Sequence, residues 1–232
     1  MDGAWAAQFP LRAKGRFVVN RQGLRFKLVG VNWYGASDGQ HVVGGLHMQN
    51  LTTICQAVAS MGFSVVRLPF STEMLRVEKV PAGAIDYAIN PGLLGLSPLE
   101  VYDRVVDGLG SVGVAVVLNN HTTVGMWSGG VEENGLWFHE GHQEFTEANW
   151  VADWCLLAAR YADRPHVIGY DLRNEVRPTS YNPMSAGPNW GSGDQLDWQC
   201  AAGNCARALV QIGSQGLIFV ERICWPQQGL DD

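Results

Sequence analysis

The chain has 232 residues, of which 47% are hydrophobic and 16% charged, enough apolar material for one domain over residues 1–232 with a sizeable core. Its formal net charge is -6 with a pI of about 5.5, and no run of Lys or Arg occurs, which argues against a nucleic-acid surface. The longest apolar runs, such as Gly113 to Leu118, fall far short of the ~20 residues a membrane span needs.

A turn around Asn20 to Gly23 reads as a hairpin leading into a first strand, Lys27 to Trp33 (KLVGVNW). Leu51 to Met61 has helical period and stops at Gly62, and Phe63 to Leu68 (FSVVRL) follows as a second strand. Pro98 to Val112 is a second helix ended by Gly113, with Val114 to Leu118 as the third strand. Asn149 to Tyr161 is a long helix, and Val167 to Leu172 is the fourth strand, inside the stretch HVIGYDLRNEVR. Gln195 to Ile212 reads as helix and Leu217 to Val220 as a fifth strand. Strands of continuous rather than alternating apolar character, separated by helices, imply parallel βα units buried on both faces.

The polar residues fall at one end of these strands. The first exits on Asn32-Trp33-Tyr34, the second on Arg67-Leu68-Pro69 and the third on Asn119-Asn120-His121. The fourth exits on Asn174-Glu175, before Arg177-Pro178 breaks the pattern, and the fifth on Glu221 and Trp225. A carboxylate with an amide beside it at the C-terminal tip of a parallel strand is where an α/β barrel places catalytic groups. A strand followed by a helix-capping Asn or Glu is the bland alternative for the fourth strand taken alone. A doubly wound sheet also puts its ligand at strand C-termini, but no Gly-rich phosphate loop follows the first strand here.

The N-terminal residues hold no long apolar segment, so no signal peptide is visible; the chain is intracellular or lacks the start of its precursor. The five cysteines (Cys55, Cys155, Cys200, Cys205, Cys224) are too scattered for a zinc motif. Cys200 and Cys205 could pair in an oxidising compartment; buried free thiols are the favoured reading. Nine Trp and 28 Gly suit a sugar cleft, where flat rings stack on pyranose faces, and equally suit a large core.

Taken in order, GVNWYG (Gly30 to Gly35), VVRLPF (Val65 to Phe70), LNNH (Leu118 to His121), DLRNEVR (Asp171 to Arg177) and LIFVERICW (Leu217 to Trp225) resemble glycoside hydrolase family 5, the cellulase-type clan of retaining β-glycosidases. The resemblance runs from about Pro10 to Trp225. It implies a TIM (β/α)8 barrel that hydrolyses O-glycosidic bonds of a β-linked polysaccharide with no metal or cofactor, no nucleic-acid or membrane partner, and an extracellular place of work. By the same resemblance Glu175 is the general acid/base, which needs a carboxyl whose pKa is raised by apolar walls and a nearby negative nucleophile. Asn174 is implied to bond the sugar 2-hydroxyl, Arg67 to orient the nucleophile, and His121 to line the subsite next to the cleaved bond. Arg67 as a structural ion pair and His121 as a packing residue are the plainer readings. Trp127, Trp137 and Trp225 stand in loops after strands, as sugar platforms or as core.

The sequence departs from the family at Arg222, where Gly is usual, and in length. Strand ends recur about every 50 residues, so eight units need about 400 and this chain carries the first five. The family's nucleophile, a second Glu after the seventh strand, is then missing, and Glu221 reads as a hydrogen-bonding residue of the fifth strand rather than a replacement. These residues alone are expected to expose two sheet edges, to self-associate and to show no measurable glycosidase activity. The competing reading is a non-catalytic or degenerate carbohydrate-binding fragment.

Overall fold

A computed structural model of the chain describes residues 3–127, 135–139, 141–178 and 187–223. A short helix α1 (Gly3–Ala6) precedes a hairpin of β1 (Arg12–Lys14) and β2 (Phe17–Val19), and then β3 (Gly30–Asn32). Four βα repeats follow: α2 (Leu51–Ser60), β4 (Val65–Ser71), α3 (Pro98–Ser111), β5 (Ala115–Thr122), α4 (Glu147–Arg160), β6 (Val167–Asp171), α5 (Trp198–Gln211) and β7 (Leu217–Phe219). The turn at Asn20–Gly23 closes on an antiparallel bridge between Val19 and Arg25, and the hairpin before it, at Lys14 to Phe17, has no hydrophobic alternation that would have announced it.

The five strands β3-β4-β5-β6-β7 form one sheet in sequential order, every pair parallel. A doubly wound sheet reverses its order at a switch point, so monotonic winding selects the barrel topology and excludes the alternative left open by the strand ends. The described residues make five strands of an incomplete barrel.

Packing follows the two faces of this sheet. Val66, Leu68, Val116, Leu118 and Tyr170 belong to the outer layer with the buried faces of the helices. Val65, Ala115, Val117 and Ile168 face inward and meet Phe9 and Leu11 from the N-terminal segment. Helix α3 shows why a local sequence holds its place. Ser97 and Glu100 form a reciprocal capping box ahead of Pro98, and Val101, Tyr102, Val105, Val106 and Leu109 recur at helical spacing on the buried side. Tyr102 then donates to the Leu68 carbonyl at 2.7 Å, tying the helix to β4.

Strand limits differ from the sequence reading in an instructive way. β3 is shorter than Lys27 to Trp33, because Val29 bonds the backbone and hydroxyl of Ser64 instead of a regular ladder. β5 is longer than Val114 to Leu118 and runs through Asn119, Asn120 and His121 to Thr122. These polar residues stay in the strand because β4 pairs with them, Pro69 with Asn119 and Phe70 with Asn120. Helices α4 and α5 start at Glu147 and Trp198, set by the caps Thr146 and Asp197.

Gly110 on α3 packs against His166, whose Nε2 lies 3.0 Å from the Val106 carbonyl. A Cβ at Gly110 would stand 2.5 Å from that Nε2. Gly110→Ala is therefore expected to destabilise the chain by about 1–3 kcal/mol through overpacking, reversing the gain of up to about 1 kcal/mol that alanine normally gives inside a helix. A urea melt of the variant checks the sign.

Cys55, Cys155, Cys200 and Cys205 are free thiols, so the Cys200–Cys205 disulfide does not form. Five positions apart on α5, one is exposed and the other buried. The expectation of buried thiols thus holds for Cys55 and Cys205 but not for Cys200; Cys224 lies outside the described residues. Burial pushes the Cys55 thiol up to about 12, so it is inert as a nucleophile. Among the described residues no helix is long and apolar enough to cross a membrane, and no group of three or more His, Cys, Asp or Glu could hold a metal ion.

Candidate active site

The C-terminal ends of the strands converge on the guanidinium of Arg67, which β4 carries on the inward face in register with Asn32 of β3 and Val117 of β5. Its Nε donates to Asp171 Oδ2 at 2.7 Å, and Nη2 donates to Asn174 Oδ1 at 2.8 Å and Glu221 Oε1 at 2.7 Å. Nη1 reaches Asn32 Oδ1 at 3.3 Å. One planar cation thus ties together the ends of β3, β4, β6 and β7, a task for a rigid five-donor fork. Of the sequence-selected residues, Arg67, Asn174 and Glu175 come together here.

Glu175 has φ +43, a left-handed backbone that a non-glycine residue rarely adopts. The conformation is held from both sides: its N–H donates to Glu221 Oε2 at 2.9 Å and its carbonyl accepts from Arg177 Nη1 at 2.7 Å. Strain fixed by surrounding bonds is a recurrent mark of functional positions. The side chain itself is 53% exposed, 3.9 Å from Arg177, so the described residues do not supply the apolar walls expected around it.

His121 on β5 is directed by its neighbour, with Nδ1 2.8 Å from Asn119 Oδ1. Asn119 Oδ1 accepts only if Nδ1 carries the proton, which leaves Nε2 as an acceptor. Burial, followed by the charges of Arg67, Arg173 and Arg177, pulls the His121 pKa down to about 3, so the ring is neutral at any working pH.

Trp127 is 68% exposed and stands edge-on to the exposed Tyr34, centroids 5.6 Å apart. Its loop is docked by Met126 N–H to the Ser37 carbonyl and by Gly125 N–H to Glu73 Oε2. Trp137 is core, not platform: it is buried against Trp198 and Phe138 with its indole N–H on Glu147. Trp225 lies outside the described residues.

Two members of the site were not selected from the sequence. Asp171 is buried, with its carboxyl raised to about 7 by loss of water, against the pull of Arg67 and with the help of nearby Glu221. Its signal was an acidic residue inside an apolar strand. Arg173 is fully buried, with Nη1 at 3.4 Å from Asn120 Oδ1, and lies within the same DLRNEVR run. Chemically, the arrangement offers an exposed carboxyl, an amide fixed beside it and a neutral imidazole. The second carboxylate, Glu221, is engaged through both oxygens.

The chain matches the model of the cellulase family, glycosyl hydrolase family 5, over residues 20–231. It is 36% identical to the major extracellular endoglucanase of Xanthomonas campestris pv. campestris, covering 90% of this chain and 40% of that protein. It is 30% identical to an endoglucanase of Paenibacillus polymyxa, covering 93% and 50%. A structure of the Pyrococcus horikoshii endocellulase in complex with cellotetraose superposes with a TM-score of 0.79 at 29% identity, covering 94% of this chain and 58% of that one. The chain spans about half the length of the curated relatives it matches. With a family model matching nearly end to end and the strand-end residues converging as described, the chain belongs to glycosyl hydrolase family 5.

Proposed function

We propose that this chain carries the proton-donating half of an endo-acting β-glucan hydrolase. Glu175 protonates the departing glycosidic oxygen, and the Asn174 amide, held through its carbonyl by Arg67, presents its N–H donors to the sugar 2-hydroxyl. His121 accepts a sugar hydroxyl at Nε2, and Trp127 with Tyr34 forms an aromatic edge against which a pyranose stacks. The substrate class is a cellulose-type β-linked glucan, as the names of the relatives suggest, and the place of work is extracellular, as the Xanthomonas relative's name suggests.

The mechanism is retaining, with two carboxyls about 5–5.5 Å apart. Its nucleophile is a second Glu outside these 232 residues, since Glu221 is held by Arg67 and by the Glu175 N–H. The observation that carries the reading is this Arg67 fan, which immobilises Asn174 and Glu221 and leaves the Glu175 carboxyl open to solvent.

The test begins with the intact mass of the protein from its source. A mass well above 25.3 kDa with release of shorter products from cellotetraose supports the hydrolase, and Glu175→Gln should then cut turnover by about 100-fold or more with binding retained. A mass of 25.3 kDa with glycan binding but no turnover selects instead the non-catalytic binding protein, the reading that the engaged Glu221 favours. In either case Trp127→Ala should weaken cellotetraose binding by about 2- to 12-fold, the worth of one stacked aromatic, as titration calorimetry would read.

A further inference from the structure

Six of the 16 Lys and Arg residues (Arg12, Lys14, Arg16, Arg21, Arg25 and Lys27) fall in one stretch without Asp or Glu, in a chain of net charge -6. Spaced apart in sequence, they form no basic run, but the fold collects them. In the β1–β2 ladder Arg12 lies opposite Val19 and Lys14 opposite Phe17, and Val19 bridges to Arg25 on its other side. Directly opposed residues of antiparallel strands point to the same face, so Arg12, Lys14 and Arg25 surround Phe17, and Arg16 joins from the turn. The guanidiniums of Arg16 and Arg25 stand 5.1 and 4.9 Å from the Phe17 ring centroid. All six cations are exposed, and among the described residues none is paired with a carboxylate.

A shallow cleft of 530 Å³ adjoins this patch, lined by Trp5, Gln8, Arg25, Lys27 and Ser64. Its floor is the turns Gly62–Ser64 and Val112–Val114, which feed the N-terminal ends of β4 and β5. It therefore lies at the opposite end of the sheet from Asn174 and Glu175.

We propose that the hairpin and this cleft form a second, non-catalytic glycan site, one for a polysaccharide that bears carboxylates, such as a uronate chain. Unpaired cations on one hairpin face repel one another and are stabilised by an anionic polymer lying across them. The half-buried Trp5 ring beside Gln8 and Ser64 gives the apolar wall and polar rim that a pyranose takes. Phe17, the other exposed ring, is capped by Arg16 and Arg25 and not open for a nucleobase to stack.

The monomer-size fraction of the full chain, passed over immobilised polygalacturonate, tests this directly. Binding is expected, and the charge reversals that weaken it should leave retention on a neutral β-glucan, taken at the other end of the sheet, unchanged. Binding to polygalacturonate should be lost in about 0.5 M salt, where exposed charges are screened beyond a few ångströms. Arg12→Glu/Arg25→Glu/Lys27→Glu should weaken it at least about tenfold, whereas the same reversal at the exposed Lys79 should leave it unchanged. The neutralised pair Arg12→Gln/Lys27→Gln, which keeps both guanidiniums on Phe17, should weaken it with an unaltered melting curve. Equal binding by the triple variant and the parent, or no binding to polygalacturonate, overturns the proposal. Equal retention on single-stranded DNA of matched charge overturns the assignment to a uronate chain.

Discussion

Replacing Arg67 by methionine is expected to lower stability at pH 7 by about 3–5 kcal/mol, the cost of breaking a buried ion pair from one side. The side chain is 25% exposed, and its removal leaves the carboxyls of Asp171 and Glu221 facing each other with no cation between them. It also releases Asn174 and Asn32, so the ends of four strands lose their common anchor. Lysine should not restore the loss, because a single ammonium cannot reach four acceptors held in a plane. Two measurements separate this account from a general packing defect. Urea melts at pH 7 and pH 5 should show the deficit shrinking in acid, as the unpaired carboxyls take up a proton. The double variant Arg67→Met/Asp171→Asn should recover part of the loss, since a neutral amide costs less to bury than an orphaned charge. A deficit below about 1 kcal/mol, equal at both pH values, would mean that Arg67 behaves as a surface ion.

How far the sequence reveals this molecule depends on which physical signal each part leaves. The parallel strands were legible because Val65-Val66, Val114 to Leu118 and Val167-Ile168 are apolar on both faces, and helices α3 to α5 because their buried positions recur at helical spacing. The strand ends were legible as the face where polar groups gather, since Arg67, His121, Asn174 and Glu175 interrupt apolar runs at the same end. What failed was burial that hydrophobicity does not announce. Asn120 and Thr122 are interior strand residues whose side chains bond inside the protein, and Asn119 is buried beside them, so the apolar pattern ended β5 too early. Trp127 and Trp137 are equivalent in sequence, both aromatic residues in a loop after β5, and only tertiary packing leaves one exposed and buries the other. The basic hairpin is the clearest case. Charge patterning along the chain showed no run, because alternate residues of adjacent strands meet only in the folded ladder.

The pH dependence of stability should expose two large and opposite contributions that nearly cancel in the native chain. His121 has a folded pKa of about 3, below the usual ~6.5 of the unfolded chain. Its contribution is complete above pH ~6.5 and is lost as pH falls from there toward 3, at up to about 1.4 kcal/mol per pH unit. Asp171, as part of the pair it forms with Glu221, has the opposite sign. Its folded pKa, raised to about 7, lies above the usual ~3.9, so its contribution is complete below pH ~3.9 and is lost as pH rises through 7. Between about pH 4 and 6.5 the unfolded chain binds the histidine proton and the folded chain the carboxyl proton, and the two slopes offset each other. Removing one member uncovers the other. Relative to the parent, Asp171→Asn should become more dependent on neutral pH, losing about 1–2 kcal/mol more between pH 6.5 and 4.5, and His121→Gln should change by a similar amount in the reverse direction. The remaining solvent contact of His121 keeps its share below the full slope. His166, also buried with a lowered pKa, adds to the histidine side in both variants and so drops out of the comparison. Acid loss from Asp107 and Glu100, whose pKa values are lowered by their hydrogen bonds, begins in the acid part of this window but is common to the parent and both variants. Urea melts of parent and variants at those two pH values decide the matter. Parallel profiles for all three would mean that neither group changes its proton affinity on folding, and the electrostatic description of the Arg67 cluster would fall with it.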